Sequence, residues 1–444
     1  MVFDSIFTEG DALVSDMGNR YEIIRKLGEG GQGTVYEVED SNGEKHALKW
    51  YFKKFATDKQ KNIVENLVRL GAPNSTFLWP EDIIYGEDND SVFRFSVGAF
   101  GYVMPLRPPN YRGIIDLMKR RAEPSFKNLC KAAFSLTKGY ERLHEMGLAY
   151  GDISFGNLFF DPNSGEVLIC DNDNASYSNE EMSVYGTPRF MAPEIVIGKA
   201  RASRNTDLFS LSVLLFNIFM LSHPLEGEQE VKIKCMDIPA MNRIYGHNPV
   251  FIFDPKNSTN RPVTGVHDNA LIYWELYPAR LRELFTKAFT IGLKEPQRRV
   301  TEKEWKTALA NMAFGITPCS CGAENFYDMQ AVQSGKVLTC WNSQCRKQLT
   351  TPSVFTCGKN QAVLQKGAIL YSHHINNDYD IDTVVGTVVQ NPNNPNLWGI
   401  RNDSKTNWTY IKADGTQIPV APGKSAMIVK GAKLNFGLDI GTFI

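Results

Sequence analysis

In Leu148-Ala149-Tyr150-Gly151-Asp152-Ile153-Ser154-Phe155-Gly156-Asn157-Leu158 a helical pattern ends and a short polar constellation begins. Upstream, Leu129, Ala133, Leu136, Tyr140 and Leu143 recur at steps of three and four, the period of one buried helical face. Inside the stretch that period lapses, leaving a carboxylate at Asp152 and a carboxamide at Asn157. The apolar run Val167-Leu168-Ile169-Cys170 follows and ends on Asp171-Asn172-Asp173.

Further upstream, YEIIRKLGEG, GTVYEVED and EKHALKWYF predict three strands joined by tight turns, one of them Ser41-Asn42-Gly43. The first two flank Gly28-Glu29-Gly30-Gly31-Gln32-Gly33-Thr34-Val35, a G-x-G-x-x-G in which glycine lets the backbone approach phosphate oxygens. Dinucleotide-binding proteins share the spacing, but there a helix follows it; here a strand does, which disfavours that reading. Ala47-Leu48-Lys49 sets a lysine in the third strand. KNIVENLVRLG predicts an amphipathic helix with Ile63, Leu67 and Leu70 on one face and Glu65 within it. A Lys49–Glu65 pair would orient the lysine's charge onto nucleotide phosphates; the alternative is an ordinary surface ion pair. A small sheet with one helix, followed by a larger helical part, predicts a two-lobed α+β domain.

From Asp152, Asn157 and Asp171 the sequence resembles the protein-kinase family, the first two matching its catalytic loop and the third its metal-binding acid. Gly186-Thr187-Pro188-Arg189-Phe190-Met191-Ala192-Pro193-Glu194 is similar to the end of an activation segment. Asp207 in NTDLFSLSVLL matches the acid that opens the family's central helix, and Arg299 the arginine that pairs with the Glu of A-P-E. The resemblance implies a kinase fold over residues 1–314, with an N-lobe of about 1–105 and a C-lobe of about 106–314. It implies ATP and Mg²⁺ as cofactors. Gly28, Gly30 and Gly33 would cover the phosphates, Lys49 held by Glu65 would grip them, and Asp171 with Asn157 would hold Mg²⁺. Asp152 would accept the proton of a Ser or Thr hydroxyl. Val35, Ala47, Met104 as guard of the adenine pocket, and Leu106 in the Pro105-Leu106 hinge would complete the nucleotide site. Thr187 matches the position that favours Ser/Thr over Tyr substrates.

Departures from the family's pattern matter equally. Gly151 stands where an arginine is usual, so one cation that clamps a phosphorylated loop is missing. Activity independent of loop phosphorylation, at Ser176, Ser178, Ser183 or Thr187, is the expectation. Ser154 replaces a lysine near the transferred phosphate, and Tyr150 replaces a histidine as a packing aromatic. Asn172-Asp173 replaces Phe-Gly, placing in Asp173 a carboxylate that either assists a second Mg²⁺ or faces water. Two readings remain: an active Ser/Thr protein kinase, or a pseudokinase scaffold that recruits partners through its C-terminal modules. Small-molecule phosphorylation is a third, which the A-P-E segment with Gly186-Thr187 argues against.

The length of 444 residues predicts about three domains at roughly 150 residues each. With 48 Lys+Arg against 49 Asp+Glu, the formal charge of -1 argues against nucleic-acid binding through whole-chain basicity. A hydrophobic fraction of 43% excludes disorder as the main state. No run reaches the roughly 18 apolar residues of a spanning helix. Leu208 to Leu221, carrying Ser210, Ser212 and Asn217, is predicted as a buried helix. The N-terminus MVFDSIFTEGD is unlike a signal peptide, and a soluble cytoplasmic protein without membrane partners is expected.

The eight cysteines are uneven: Cys130, Cys170 and Cys235 are scattered, while Cys319, Cys321, Cys340, Cys345 and Cys357 crowd together. Cys319-x-Cys321 and Cys340-x4-Cys345 look like a zinc ribbon over residues 316–358, with free buried thiols as the alternative and Cys357 as a substitute ligand. From 360 to 444, AVLQKGAILY, TVVGTVVQ, LWGIRND, WTYIKAD, SAMIVKG and KLNFG predict a β-sandwich. Its half from Trp398 to Ile444 is similar to forkhead-associated domains. The G-R and S-x-x-H elements that grip phosphothreonine in that family are absent; His373 and His374 are the nearby candidates, and a degenerate interaction module is expected. The segment from Glu226 to Asn269 predicts a packed surface excursion, with substrate docking as the alternative. The modular order resembles bacterial eukaryotic-like kinases paired with a von Willebrand-type protein and a PP2C-type metal-dependent phosphatase. It implies as partners those two, protein substrates with Ser/Thr acceptors, and the chain itself.

Overall fold

Both faces of the strand Lys45–Tyr51 are buried, and that organises the N-terminal part of the chain. The computed structural model describes residues 6–89, 98–177, 186–437 and 439–444. In it six antiparallel strands form one sheet: β1 (Ala12–Val14), β2 (Arg20–Glu29), β3 (Gly33–Asp40), β4 (Lys45–Tyr51), β5 (Asp82–Tyr85) and β6 (Phe100–Pro105), in the order β1-β2-β3-β4-β6-β5. Leu48 and Trp50 enter one apolar cluster with Ile23, Tyr36 and Val38, whereas Ala47 and Tyr51 enter another with Tyr102 and Met104. Period-two alternation therefore puts Lys49 on the same face as Ala47. The register pairs Val35 with Lys49 and Ala47 with Met104, which gathers all four on that face.

Helix α1 (Asp58–Leu70) starts on Thr57, whose hydroxyl accepts from the Gln60 amide at 3.2 Å, and stops at Gly71 with φ 72°. Its buried residues are Gln60, Val64 and Leu67, not the expected Ile63, Leu67 and Leu70, and Leu70 is 41% exposed. The inward arc is rotated because a polar residue, Gln60, has a buried polar destination. After α2 (Ile114–Met118) comes α3 (Phe126–Glu145), which buries Leu129, Ala133, Leu136, Tyr140 and Leu143 as their spacing predicts. A short α4 (Pro193–Val196) precedes α5 (Arg204–Met220), a helix buried on nearly every side. Ser210, Ser212 and Asn217 are tolerated there because each side chain donates to the carbonyl four residues back. The segment after Glu226 is packed: Phe251 and Ile252 are fully buried, and Asn260 donates to the carbonyls of Leu225 and Val250.

Contacts divide the chain into two compact units, Met1–Glu123, Ser135–His267 and Thr286–Glu302 in one, and Pro124–Phe134, Asp268–Phe285 and Lys303–Ile444 in the other. Both units are discontinuous in sequence. Within the second unit the helix Glu302–Phe314 packs its Trp305 on Phe285 and its Phe314 on His374, while Tyr277 meets Phe326. These ring contacts join helical residues to the C-terminal modules.

The end of the chain forms a six-stranded and a four-stranded antiparallel sheet. The run expected as one strand over 362–371 breaks at a turn where Gly367 has φ 72°, sending Asn360–Leu364 to the first sheet and Ile369–Tyr371 to the second. Ser353–Cys357 also belongs to the six-stranded sheet, so Cys357 and the last residues of the expected 316–358 module lie in the sandwich. A Cβ built on Gly386 would meet the Trp408 ring of the other sheet at 3.0 Å, so the two faces are in close contact. The same constraint is tighter at Gly441, where a Cβ would stand 2.0 Å from the Phe355 ring, itself packed on Phe436 and Phe443. Gly441→Ala is expected to destabilise the sandwich by about 1–3 kcal/mol through overpacking. Thermal unfolding of the full chain, followed by proteolytic release of the sandwich, checks this; an unchanged profile would refute the packing argument.

Candidate active site

Lys49 is 5% exposed, and its ammonium is placed by the sheet register rather than by a flexible loop. Its Nζ lies 2.8 Å from Asp173 Oδ2, 3.3 Å from Asp171 Oδ1 and 3.0 Å from Gln32 Oε1. Burial disfavours the ammonium, but the two carboxylates outweigh it and raise the lysine pKa. Glu65 is not among its partners: its carboxylate accepts from the Tyr85 hydroxyl at 2.9 Å. The expected Lys49–Glu65 pair is thus replaced by Lys49–Asp173, because Glu65 lies off the inward arc of α1. Nor does Asp173 face water; it is fully buried and also accepts the Tyr51 hydroxyl. Asn172, in the place usual for Phe, is buried as well and donates to the carbonyls of Leu78 and Ile169 at 2.7 and 3.0 Å.

Among the loop glycines, Gly33 is required sterically, since a Cβ there would stand 2.2 Å from the Trp50 carbonyl oxygen. Around Gly28 nothing lies within 4 Å of a built Cβ, and around Gly30 only the Gly33 carbonyl does, at 3.9 Å. That open space is what a phosphate would need to reach the backbone. Val35, Ala47, Met104 and Leu106 fall in one apolar cluster with Leu168, Tyr111 and Cys170. Leu168 and Cys170 belong to the apolar run that ends at Asp171, whereas Tyr111 was not singled out by sequence.

Asp152 is held on both oxygens. Thr187 donates its amide (3.0 Å) and hydroxyl (3.3 Å) to Oδ1, and Asn157 Nδ2 donates to Oδ2 at 3.2 Å. Burial raises the Asp152 pKa against these hydrogen bonds. The Asn157 nitrogen is committed to Asp152, so its amide oxygen is the atom that could hold a cation, and the Asp171 side chain is 48% exposed. Asp171 has φ 53°, a left-handed turn that starts the short 3₁₀ segment Asn172–Asn174. Of the loop serines singled out by sequence, Ser178 and Ser183 lie outside the described residues, whereas Ser176 is buried.

The catalytic-type loop hangs on α5. Asp207 is 1% exposed and accepts the Tyr150 amide at 2.6 Å and the Gly151 amide at 3.0 Å. Gly151 has φ 77°, so glycine serves the backbone there as well as removing a cation. Tyr150 is buried and its hydroxyl donates to the Cys170 carbonyl. His144 bridges Asp207 (3.1 Å) and Glu302 (2.6 Å), and Arg204 grips Glu302 through two nitrogens. Arg299 meets Glu194 in a bidentate pair at 2.7 and 2.8 Å, as its position in sequence suggested. Arg189 and Tyr245 both donate to Glu226, an arrangement the sequence did not signal.

In the second unit the sulfurs of Cys319, Cys321, Cys340 and Cys345 lie within 4.8 Å of one another, and all four thiols are free. The pairs Cys319–Cys345 and Cys321–Cys340 are 3.7 and 3.6 Å apart. A tetrahedron with metal–sulfur bonds of about 2.3 Å needs sulfur separations near 3.8 Å, so this set fits a thiolate-bound metal. Cys357 lies in its strand, outside the cluster. His373 and His374 are buried, which removes them from any phosphate-gripping surface.

Residues 103–308 match the family model for the protein kinase domain. The chain is 24% identical over 241 residues to a cell cycle serine/threonine-protein kinase, CDC5/MSD2, of Saccharomyces cerevisiae, covering 51% of this chain and 32% of that one. A probable serine/threonine-protein kinase of Zea mays, CCRP1, is 28% identical over 47% of this chain and 32% of its own length. A DNA damage-responsive serine/threonine-protein kinase of Deinococcus radiodurans, RqkA, is 25% identical over 49% of this chain and 32% of its own. The chain spans about a third of the length of these relatives. The stretch it shares with them is similar to a protein kinase domain of the serine/threonine kind. Among the described residues no helix is long and apolar enough to cross a membrane.

The support beneath Asp152 has a pH signature. Burial opposes a charged His144, but its hydrogen bonds to Asp207 and Glu302 prevail and raise its pKa to about 9. A folded pKa above the unfolded value means the stabilisation is complete below about pH 6.5 and disappears as pH rises through about 9. Stability should therefore fall by about 3 kcal/mol across that window, and His144→Gln should remove most of the slope. Urea unfolding at stepped pH measures this; equal slopes in both proteins would refute it.

Proposed function

We propose that the chain is an ATP- and Mg²⁺-dependent protein serine/threonine kinase that transfers the γ-phosphate to protein hydroxyls. The observation that carries this reading is the doubly held Asp152 carboxylate, close in sequence to a cation-competent Asn157 and anchored on the buried α5. Phosphoryl transfer depends on positioning and charge neutralisation more than on covalent chemistry. Backbone at Gly28 and Gly30 leaves room for the phosphates, and Lys49 supplies the fixed positive charge. Asp171 and the Asn157 amide oxygen would hold Mg²⁺, which supplies neutralisation of the phosphate oxygens. Asp152, its pKa raised by burial, accepts the proton of the incoming hydroxyl and is kept in orientation by Thr187 and Asn157. Val35, Ala47, Met104 and Leu106 give the adenine an apolar slot.

Gly151 deprives a loop phosphate of one cation, which favours activity without prior loop phosphorylation. Competing with catalysis is the scaffold reading, favoured by the absence of a lysine at Ser154. The four-cysteine cluster is proposed as a structural zinc site, consistent with free thiols in a reducing, cytoplasmic setting. The sandwich is proposed as a partner-binding module of forkhead-associated type without its phosphothreonine grip. A von Willebrand-type protein, a PP2C-type phosphatase and the chain itself are the proposed partners beside protein substrates.

Asp152→Ala and Asp171→Ala should each lower transfer to a generic protein substrate by at least about a hundredfold, with ATP binding retained in the first. Phosphate-free protein should begin transfer without a lag. Equal activity in wild type and Asp152→Ala would replace the kinase reading with the scaffold. For the cysteines, one zinc per chain should co-purify, and Cys340→Ser should lose it and open residues 316–357 to proteases while ATP binding persists. Cys357→Ser should keep the metal. Elemental analysis that finds no zinc in the wild type would overturn the assignment.

A further inference from the structure

Arg189 stands two residues after the Thr187 that holds Asp152, and its guanidinium binds Glu226. The Phe190 amide returns to the Thr187 carbonyl at 2.8 Å, so residues 187–190 are a closed turn. Phe190 is buried and meets the ring of Phe155, in the loop that carries Asp152, edge-on at 5.1 Å. One side of the turn therefore touches the proposed catalytic loop. The other side is held by Glu226, which accepts from Arg189 Nε at 2.7 Å and from Nη2 at 2.5 Å. His223 adds a second hold. Its Nδ1 accepts the Leu225 amide at 3.2 Å, so its proton lies on Nε2 and is donated to the Arg189 carbonyl at 2.7 Å. Glu226 is in turn fixed by the excursion that begins with it. Tyr245, in the helical segment Asn242–His247, donates its hydroxyl to Glu226 Oε1 at 2.5 Å and sets its ring against His223. Asn260 is buried; it accepts the Gln229 amide at 3.0 Å and donates to the Leu225 carbonyl at 2.9 Å, pinning the chain on both sides of Glu226. The excursion also meets the end of α4, where a Cβ built on Gly246 would stand 2.7 Å from Ile197 and 2.9 Å from Val196.

We propose that Glu226 is a positioning residue for the turn 187–190, and that the excursion over 226–269, through Tyr245 and Asn260, braces this turn in place of a loop phosphate. The carboxylate is mostly buried and bound by a guanidinium and a phenol, so its orientation is set by the fold and needs no modification. The turn so held presents the Thr187 amide and hydroxyl to Asp152. This deepens the reading of transfer without loop phosphorylation and rests on it, but the hold on the turn is measurable without nucleotide.

The test follows hydrogen exchange of peptides spanning 186–197 in the phosphate-free full chain, beside steady-state transfer to a generic protein substrate. Glu226→Gln keeps the side chain's size but sets an amide against the Arg189 guanidinium. It should speed exchange in this stretch and lower kcat by about tenfold each, with KM for ATP held within about twofold. Tyr245→Phe removes one hydroxyl and keeps the ring, and should produce the same changes at about threefold. Arg189→Gln combined with Glu226→Gln should be no worse than the poorer single variant, because both break one pair. Glu228→Gln, whose residue pairs with Lys232 at the surface, should change neither readout. Unchanged exchange in folded Glu226→Gln, or additive losses in the double variant, would overturn the proposal. Where Glu226→Gln does not fold, unchanged exchange in Tyr245→Phe overturns it instead. So does wild-type protection of 186–197 that arises only after loop phosphorylation. A wild type that transfers no phosphate sinks the kinase reading, and the exchange rates then decide the brace alone.

Discussion

A carboxylate set into an apolar helix must find donors or destabilise the fold, and Asp207 finds them in the backbone of the loop it supports. The amides of Tyr150 and Gly151 close on its two oxygens, and His144 closes the remaining approach. The loop is thereby tied to a helix buried along nearly its whole length. Arg299 binds the same region, donating to the Asn205 carbonyl while it grips Glu194. Two charge clusters thus converge on the first turn of α5, and the placement of Asp152 follows from both.

What was legible in the sequence was local. The strands around Gly28–Gly33, the period of α3 and the apolar length of α5 each express a pattern of neighbouring residues, and each appears where it was expected. The cysteine pairs were legible for the same reason, since two short turns bring four sulfurs together. Patterns failed where a polar residue belonged inside. Counting only apolar positions turns the inward arc of α1 by about 60°, because Gln60 is invisible to such a count although it is buried. The run over 362–371 was misread because its apolar residues continue across a glycine turn that changes sheets. Ring contacts such as Phe314 on His374 join residues far apart in sequence, and no local pattern announces them.

The lysine's partner shows the limit most clearly. Glu65 and Asp173 are both acids within reach of a lysine by sequence order, and only the rotation of α1 decides between them. The signal was present in a different form, as the unusual Asn172-Asp173 after Asp171. Both side chains are buried and hydrogen-bonded, so a carboxylate expected either to assist a second Mg²⁺ or to face water belongs to a packed polar cluster in the fold.

Gly151 carries a consequence for how this chain can change. Its backbone sits at φ 77°, where an L-residue is strained by roughly 1–2 kcal/mol. Restoring an arginine there would add back a cation only by imposing that strain on the loop that presents Asp152. A cation introduced at that position is thus set against the geometry of the loop that presents Asp152, whereas one introduced at a neighbouring position with ordinary backbone angles meets no such strain.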